Sequence, residues 1–180
     1  MDIPEINKEG TYMKGKILLG IIMLMIIAFS NVSAQKKSQE YQYALIEAVK
    51  QKNLGNIEGA IKLYKLVIKE NKNVPIAYFE LGSLYLMTNQ YDMAVKNFLT
   101  AYEKDRDNPW FINGYTEVLL MKDNYSEAID VLKDAIKEDV KATEMTFKLA
   151  NVYSMAGKHR RALRLLENIE EERGISDKII

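Results

Sequence analysis

One alanine recurs at a fixed interval through most of the chain. Ala60, Ala94, Ala128 and Ala162 are each 34 residues from the next. In every copy apolar residues follow one and four positions after the alanine, a spacing typical of an amphipathic helix. A second helical segment precedes each copy: YALIEAVKQK, IAYFELGSLYLM, WFINGYTEVLLM and MTFKLANVYSM. The sequence therefore predicts a helix–turn–helix unit that is repeated four times.

Small residues recur in the same register on the first helix of each unit. They are Ala48, Gly82, Thr116 and Ala150. Two helices approach closely where both carry small side chains, so we expect these residues to lie opposite the recurring alanines of the second helices. The turn between the two helices carries Gly55, Asn89, Asp123 and Gly157. These residue types tolerate the left-handed backbone conformation that ends many helices, and we expect that conformation at all four positions.

The copy that begins at Pro75 resembles the tetratricopeptide repeat family, whose pattern is W-x2-L-G-x2-Y followed by A-x3-F at a period of 34 residues. The matching residues are Tyr78 in the tryptophan position, then Leu81, Gly82, Tyr85, Ala94 and Phe98. Pattern and resemblance together predict an all-α chain, a right-handed α-solenoid of eight helices. We place it at residues 35–180, with repeats at 41–74, 75–108, 109–142 and 143–176.

Residues 1–34 have the features of a secretory signal peptide. Lys14 and Lys16 precede an uncharged apolar run at residues 17–29, and Val32-Ser33-Ala34 fits cleavage before Gln35. The run spans roughly 20 Å as a helix, which is short of the ~30 Å hydrocarbon core of a membrane. Acidic residues before Met13 suit an n-region poorly, so translation is expected to start at Met13. An uncleaved membrane anchor is the alternative.

An exported chain of this kind is expected in the periplasm or cell envelope of a bacterium, and secretion into the medium is a second possibility. Lysine plus arginine and aspartate plus glutamate both number 25, so no excess charge favours a nucleic-acid partner or an anionic membrane. The chain has no cysteine, which excludes thiolate catalysis and cysteine-bound metals. No phosphate loop, nucleophile elbow or paired-histidine motif is present. We therefore expect no enzymatic activity, no cofactor and no catalytic or metal site.

The resemblance implies a scaffold whose concave groove, lined by the first helices, holds a protein or peptide. Carried onto this chain, it assigns thirteen residues to that groove: Leu45, Ile46, Val49, Phe79, Glu80, Ser83, Met87, Trp110, Asn113, Glu117, Phe147, Lys148 and Asn151. Several are large and apolar, as interface anchors are. Trp110, the single tryptophan, has two readings, as a groove anchor or as packing between repeats.

The C-terminal repeat suggests an alternative function, a structural or assembly subunit of an envelope complex that self-associates. Leu165, Ile175, Ile179 and Ile180 form an apolar set there, unless they belong to a frayed tail. The only histidine, His159, lies in AGKHRRALRLL. In the 34-residue register it takes the place of Ile57, Tyr91 and Tyr125, so we expect it to cover the start of a second helix rather than to act in catalysis.

Overall fold

A computed structural model describes the backbone of residues 8–172 and the side chains of residues 20–29 and 39–171. Every regular element in this part of the chain is an α-helix. The eight helices are α1 (Lys8–Asn53), α2 (Ile57–Glu70), α3 (Pro75–Met87), α4 (Tyr91–Lys104), α5 (Pro109–Met121), α6 (Tyr125–Lys137), α7 (Ala142–Met155) and α8 (His159–Glu172). The predicted all-α solenoid class is confirmed.

The chain divides into two compact units, residues 1–43 and residues 44–180. In the first unit the backbone is helical from Lys8 onward, and the apolar side chains between residues 21 and 29 are exposed. None of the helices in the described part of the chain combines the length and the apolar character that crossing a membrane requires. The side chains at the predicted cleavage site, Val32 to Ala34, lie outside the described residues.

The first helix is longer than the repeat pattern predicts. The pattern places its start near Tyr43, whereas α1 begins at Lys8. Residues 21–53 contain neither glycine nor proline, so no residue in that stretch favours a helix break.

In the second unit the helices follow one another as antiparallel pairs joined by short turns. Pro75 and Pro109 occupy the first turn of α3 and α5, where a missing backbone N–H costs nothing. The fourth pair begins differently. Asp139 and Lys141 adopt positive φ angles of 59° and 45° before α7, a conformation that the sequence did not lead us to expect at a lysine.

The turns inside the pairs confirm the predicted left-handed residues. Gly55, Asn89, Asp123 and Gly157 have φ angles of 76°, 58°, 55° and 71°. The same turn thus recurs at the same register in all four pairs, and it sets the direction in which each second helix leaves the first.

The recurring alanines lie in the core, as the register predicts. Ala60, Ala94 and Ala128 are fully buried, and Ala162 is nearly so. The small residues of the first helices, however, admit a neighbouring ring. A Cβ added at Gly82 would lie 3.1 Å from the Phe98 ring, and one added at Gly114 would lie 2.6 Å from Phe79 and 2.9 Å from Phe98. Glycine at these two positions therefore lets Phe79 and Phe98 pack against α3 and α5.

We expect Ala128→Leu to lower the free energy of unfolding by about 1–3 kcal/mol, because the site is fully buried and has no room for three more carbons. Urea unfolding followed by helical circular dichroism measures the change. Asp130→Leu, which adds an apolar side chain at an exposed position of the same helix, is the matched control and should stay near the wild-type midpoint. Equal midpoints for the two variants would contradict the packing assigned to Ala128.

Tyr64 is a second feature of the core. Its side chain is fully buried, and its hydroxyl has no hydrogen-bond partner among the residues that the structure describes. Burial raises the pKa of Tyr64 well above its usual range, and the nearby Glu80 carboxylate adds to the effect. The pKa of Tyr115 is raised by burial and by the hydrogen bond that its hydroxyl donates to Glu127.

A raised pKa in the folded state means that the fold is stabilised below the ordinary tyrosine pKa and loses that stability as the pH rises above about 10. We expect Tyr64→Phe to be at least as stable as the wild type at neutral pH, since it removes an unpaired buried hydroxyl, a cost of about 1–3 kcal/mol. We also expect the variant to lose less stability between neutral and alkaline pH. Urea unfolding at both pH values tests this, and a variant that is less stable than the wild type at neutral pH would contradict it.

Candidate interaction surface

The thirteen residues assigned to the groove lie on α3, α5, α7 and the end of α1, which are the first helices of the four pairs. None of the thirteen is fully buried. We call this set of accessible side chains the first-helix row. Its members differ in how far they are engaged with the rest of the fold, and that difference separates contacts that hold the repeats together from side chains that are available to a partner.

Trp110 is an accessible member of the row. Its side chain is 74% exposed, so of the two readings the packing role is excluded. Pro109 fixes the first turn of α5, and the Trp110 backbone N–H donates to Asn108 Oδ1 at 3.1 Å. The indole thus stands on a capped helix start whose backbone is restrained, which suits a surface anchor.

Phe79 has a different environment. Its ring packs at 5.4 Å, centroid to centroid, against both Phe98 and Phe111, edge-on in the first case. The residue is therefore half-buried in the contact between α3, α4 and α5 and contributes to the stacking of the repeats. Glu80 is engaged in a similar way, since it forms an ion pair with Lys52 at the preceding pair and both side chains are largely covered.

A polar cluster lies between α5 and α7. Lys148 Nζ donates to Asn113 Oδ1 at 2.7 Å and also lies 3.6 Å from a carboxylate oxygen of Glu144. Asn113, Glu117, Lys148 and Asn151 line a cavity of about 240 Å³ together with Thr116, Leu120 and Val152. The amide groups can donate and accept, as a peptide main chain requires. Lys148 already faces Glu144, so the cluster does not form a purely basic clamp for an anion.

The prediction missed two residues of this surface. Met121 and Met155 end α5 and α7 and are exposed, like Met87 at the end of α3. They follow Met87 at intervals of 34 residues, so the repeat register that identified Met87 contained the signal. Methionine is flexible and polarisable and adapts to apolar partners of varied shape. Three of them at one position form an apolar edge along the first-helix row.

His159 begins α8, at the position where Ile57, Tyr91 and Tyr125 begin α2, α4 and α6. It is exposed, and its Nδ1 lies 3.5 Å from Ser154 Oγ. The placement in the register is as predicted, but the ring does not cover the helix junction. The following arginines are exposed too, and the guanidinium of Arg161 lies 5.7 Å from the Tyr153 ring centroid.

The apolar set expected at the C-terminal repeat is only partly within view. Leu165 is half-buried, and Ile175, Ile179 and Ile180 lie outside the described residues. The exposed leucine of α8 is instead Leu163, at 59%. It directly follows the recurring alanine, which is an apolar position in every repeat, so the register contained this information as well.

No group of three or more histidine, aspartate or glutamate side chains in the described part of the chain could hold a metal ion. The first-helix row offers apolar side chains and neutral amides, a chemistry of recognition. Its ionic groups, Glu80 and Lys148, are paired with Lys52 and Glu144.

Comparison with known proteins agrees with the fold. The tetratricopeptide repeat family model matches residues 76–108. Among solved structures, a crystal structure of MamA is 25% identical, covers 69% of this chain and 72% of that chain, and has a TM-score of 0.59. MamA from Desulfovibrio magneticus RS-1 is 15% identical, with 77% and 78% covered and a TM-score of 0.61.

YrrB, described as a TPR protein with an unusual peptide-binding site, is 20% identical, with 71% of this chain and 66% of that chain covered and a TM-score of 0.59. No curated protein matches the sequence. The repeat match at residues 76–108 and the likeness to these structures show that the chain has a tetratricopeptide-type solenoid fold.

Proposed function

We propose that this chain is an exported, non-enzymatic scaffold that binds a segment of another protein along the first-helix row, the surface that corresponds to the concave face of tetratricopeptide proteins. The observation that carries the proposal is the series of exposed apolar side chains on successive first helices, Met87, Trp110, Met121 and Met155. Exposed apolar side chains at one repeating position mark a surface built for contact.

The chemistry of the row indicates the kind of ligand. Tryptophan and methionine provide apolar anchors, and Asn113 and Asn151 provide amide groups beside them. An extended or helical protein segment offers both apolar side chains and a polar main chain, so it can satisfy both parts of the surface. YrrB, which shares the fold, is described as having a peptide-binding site. The balance of 25 basic and 25 acidic residues gives no support to nucleic acid as the ligand.

The export part of the proposal rests on residues 13–34. Lys14 and Lys16, the apolar run at residues 17–29 and the small residues before Gln35 have the order of a signal peptide. Cleavage there would release a chain that begins at Gln35 and retains the whole of the repeat unit at residues 44–171. The bacterial periplasm or envelope is then the compartment in which the partner is met.

A second candidate function is an assembly subunit that uses its C-terminal repeat. The exposure of Leu163 favours it, because terminal repeats of solenoids are usually covered by polar residues. The two functions use different surfaces, and one set of variants separates them.

Affinity capture from the native organism with the full chain tests the groove proposal. We expect Trp110→Ala combined with Met121→Ala to weaken capture of the partner at least tenfold, because anchor residues of this type contribute about 2 kcal/mol or more each. Neither residue is in the core, so the variant should keep the wild-type urea midpoint. We leave Phe79 unchanged, since its ring packs within the fold.

Leu66→Ala on α2 is the matched control, since it removes an exposed apolar side chain away from the first helices, and its capture should equal that of the wild type. If Leu163→Ala lost the partner while the Trp110 and Met121 variant kept it, the assembly function would replace the groove function.

Export is tested by fractionating cells of the native organism and sequencing the N-terminus of the recovered chain. We expect the chain in the envelope fraction, starting at Gln35, because Val32-Ser33-Ala34 fits signal-peptidase cleavage. Recovery from the cytoplasm with residues 13–34 intact would contradict the export proposal. It would leave the groove proposal standing.

A further inference from the structure

The outer face of the fourth pair exposes residues that are covered in the pairs before it. Leu163 is 59% exposed, whereas Ile129, its equivalent one repeat earlier, is 4% exposed. Leu166 is half-buried, while its equivalents Leu132, Phe98 and Tyr64 are buried. In the earlier pairs the first helix of the next pair covers this position. The face of α7 and α8 therefore has the composition of an internal junction between repeats.

A cavity of about 440 Å³ lies in that face. Its walls include Phe147, Ser154, His159, Leu163 and Leu166. The cavity is lined mainly by apolar atoms of α7 and α8, and the equivalent space in the earlier pairs is filled by the following helix. A side chain from a further helix is the element that would complete it.

The internal junctions identify which position of a following helix enters this space. Glu80, Gly114 and Lys148 share one register, 34 residues apart. Each contacts the preceding pair: Glu80 pairs with Lys52, Gly114 lies against Phe79 and Phe98, and Lys148 bonds to Asn113. Advanced to the fourth pair, the contacted residues become Ser154, Phe147 and Leu166, and all three line the 440 Å³ cavity.

The same register leads to Ile46 in the first pair. Ile46 is the equivalent of Glu80, Gly114 and Lys148 on the helix end at residues 44–53, and it is 69% exposed. Val49, one turn further along this helix, is exposed as well. The first pair thus presents an isoleucine at the position that contacts the preceding pair in each internal junction. The fourth pair presents an apolar cavity at the position that such a residue fills.

We propose that copies of this chain associate head to tail, with Ile46 of one copy inserted into the cavity of the next copy between Leu163, Leu166 and Ser154. The contact continues the junction that the chain already makes three times within itself. It joins two different surfaces of the same chain, so it is a heterologous contact that leaves one free end on each assembly and can extend.

One feature of the register opposes tight association at neutral pH. Tyr102 and Tyr115 stack at 5.6 Å across the junction between the second and third pairs. Their equivalents in a head-to-tail contact are Glu170 of one copy and Glu47 of the next. Two carboxylates in that position repel each other, so the association is weak and depends on concentration.

The chain has no cysteine, which permits a direct test of this register. Ile46→Cys and Leu163→Cys are prepared as separate full-length chains, in one mild detergent because residues 20–29 expose apolar side chains. The two are mixed and treated with a short bis-maleimide cross-linker. We expect the mixed dimer, joined through residues 46 and 163, as the main product, and its loss on dilution. Mixing Ile46→Cys with Glu103→Cys, an exposed site on α4, is the control and should give little product.

Adding Glu47→Lys to the Ile46→Cys chain should raise the yield of mixed dimer, with an association about fivefold tighter, because a lysine replaces one of the two opposed carboxylates. Products that join only like positions, 46 to 46 or 163 to 163, would overturn the proposal in favour of a symmetric dimer. Absence of the mixed dimer at every concentration, with no effect of Glu47→Lys, would also overturn it and would show that another element covers the C-terminal face. Capture of a partner by the first-helix row is measured on other residues, so neither outcome decides the groove function.

Discussion

The stacking of each helix pair on the one before it is the constraint on which the rest of the structure depends. The junction between the second and third pairs shows how it works. Gly114 provides no side chain, so the rings of Phe79 and Phe98 lie directly against α5. Phe79 also contacts Phe111, and Tyr102 stacks on Tyr115. Because dense apolar packing tolerates little change in volume, these contacts fix the spacing between repeats. That spacing places the accessible side chains of the first helices in a row.

Two surfaces follow from this constraint. The first-helix row faces away from the junctions and retains exposed apolar side chains, with Trp110 and the three methionines at its edges. The end faces are junctions that lack a neighbour, and they expose Ile46 and Leu163. Binding along the row and association through the ends use separate residues. A partner could therefore occupy the row of an isolated copy or of an extended assembly.

The sequence predicted the fold well because the relevant signals are local and repeat. The left-handed turn residues, the helix starts at Pro75 and Pro109 and the buried alanines all follow from residue type and the 34-residue interval. The exposure of single side chains was harder to predict. Trp110 had two readings that composition could not separate, Phe79 proved to pack within the fold, and Leu163 rather than Leu165 is the exposed leucine. Each depends on which neighbour covers the position, and that requires the three-dimensional junction. The start of α1 at Lys8 was missed because the pattern identifies repeats and carries no information about helix that precedes them.

The central claim, that the first-helix row is the surface that meets the partner, is tested most directly by photo-cross-linking in the native organism. A photoreactive amino acid is placed at Met121 in the row or at Lys133 on α6, both exposed positions. The account predicts a discrete adduct of one partner from position 121 and none from position 133. Adducts from position 133 with none from position 121 would contradict the account, because they would place the partner on the second helices.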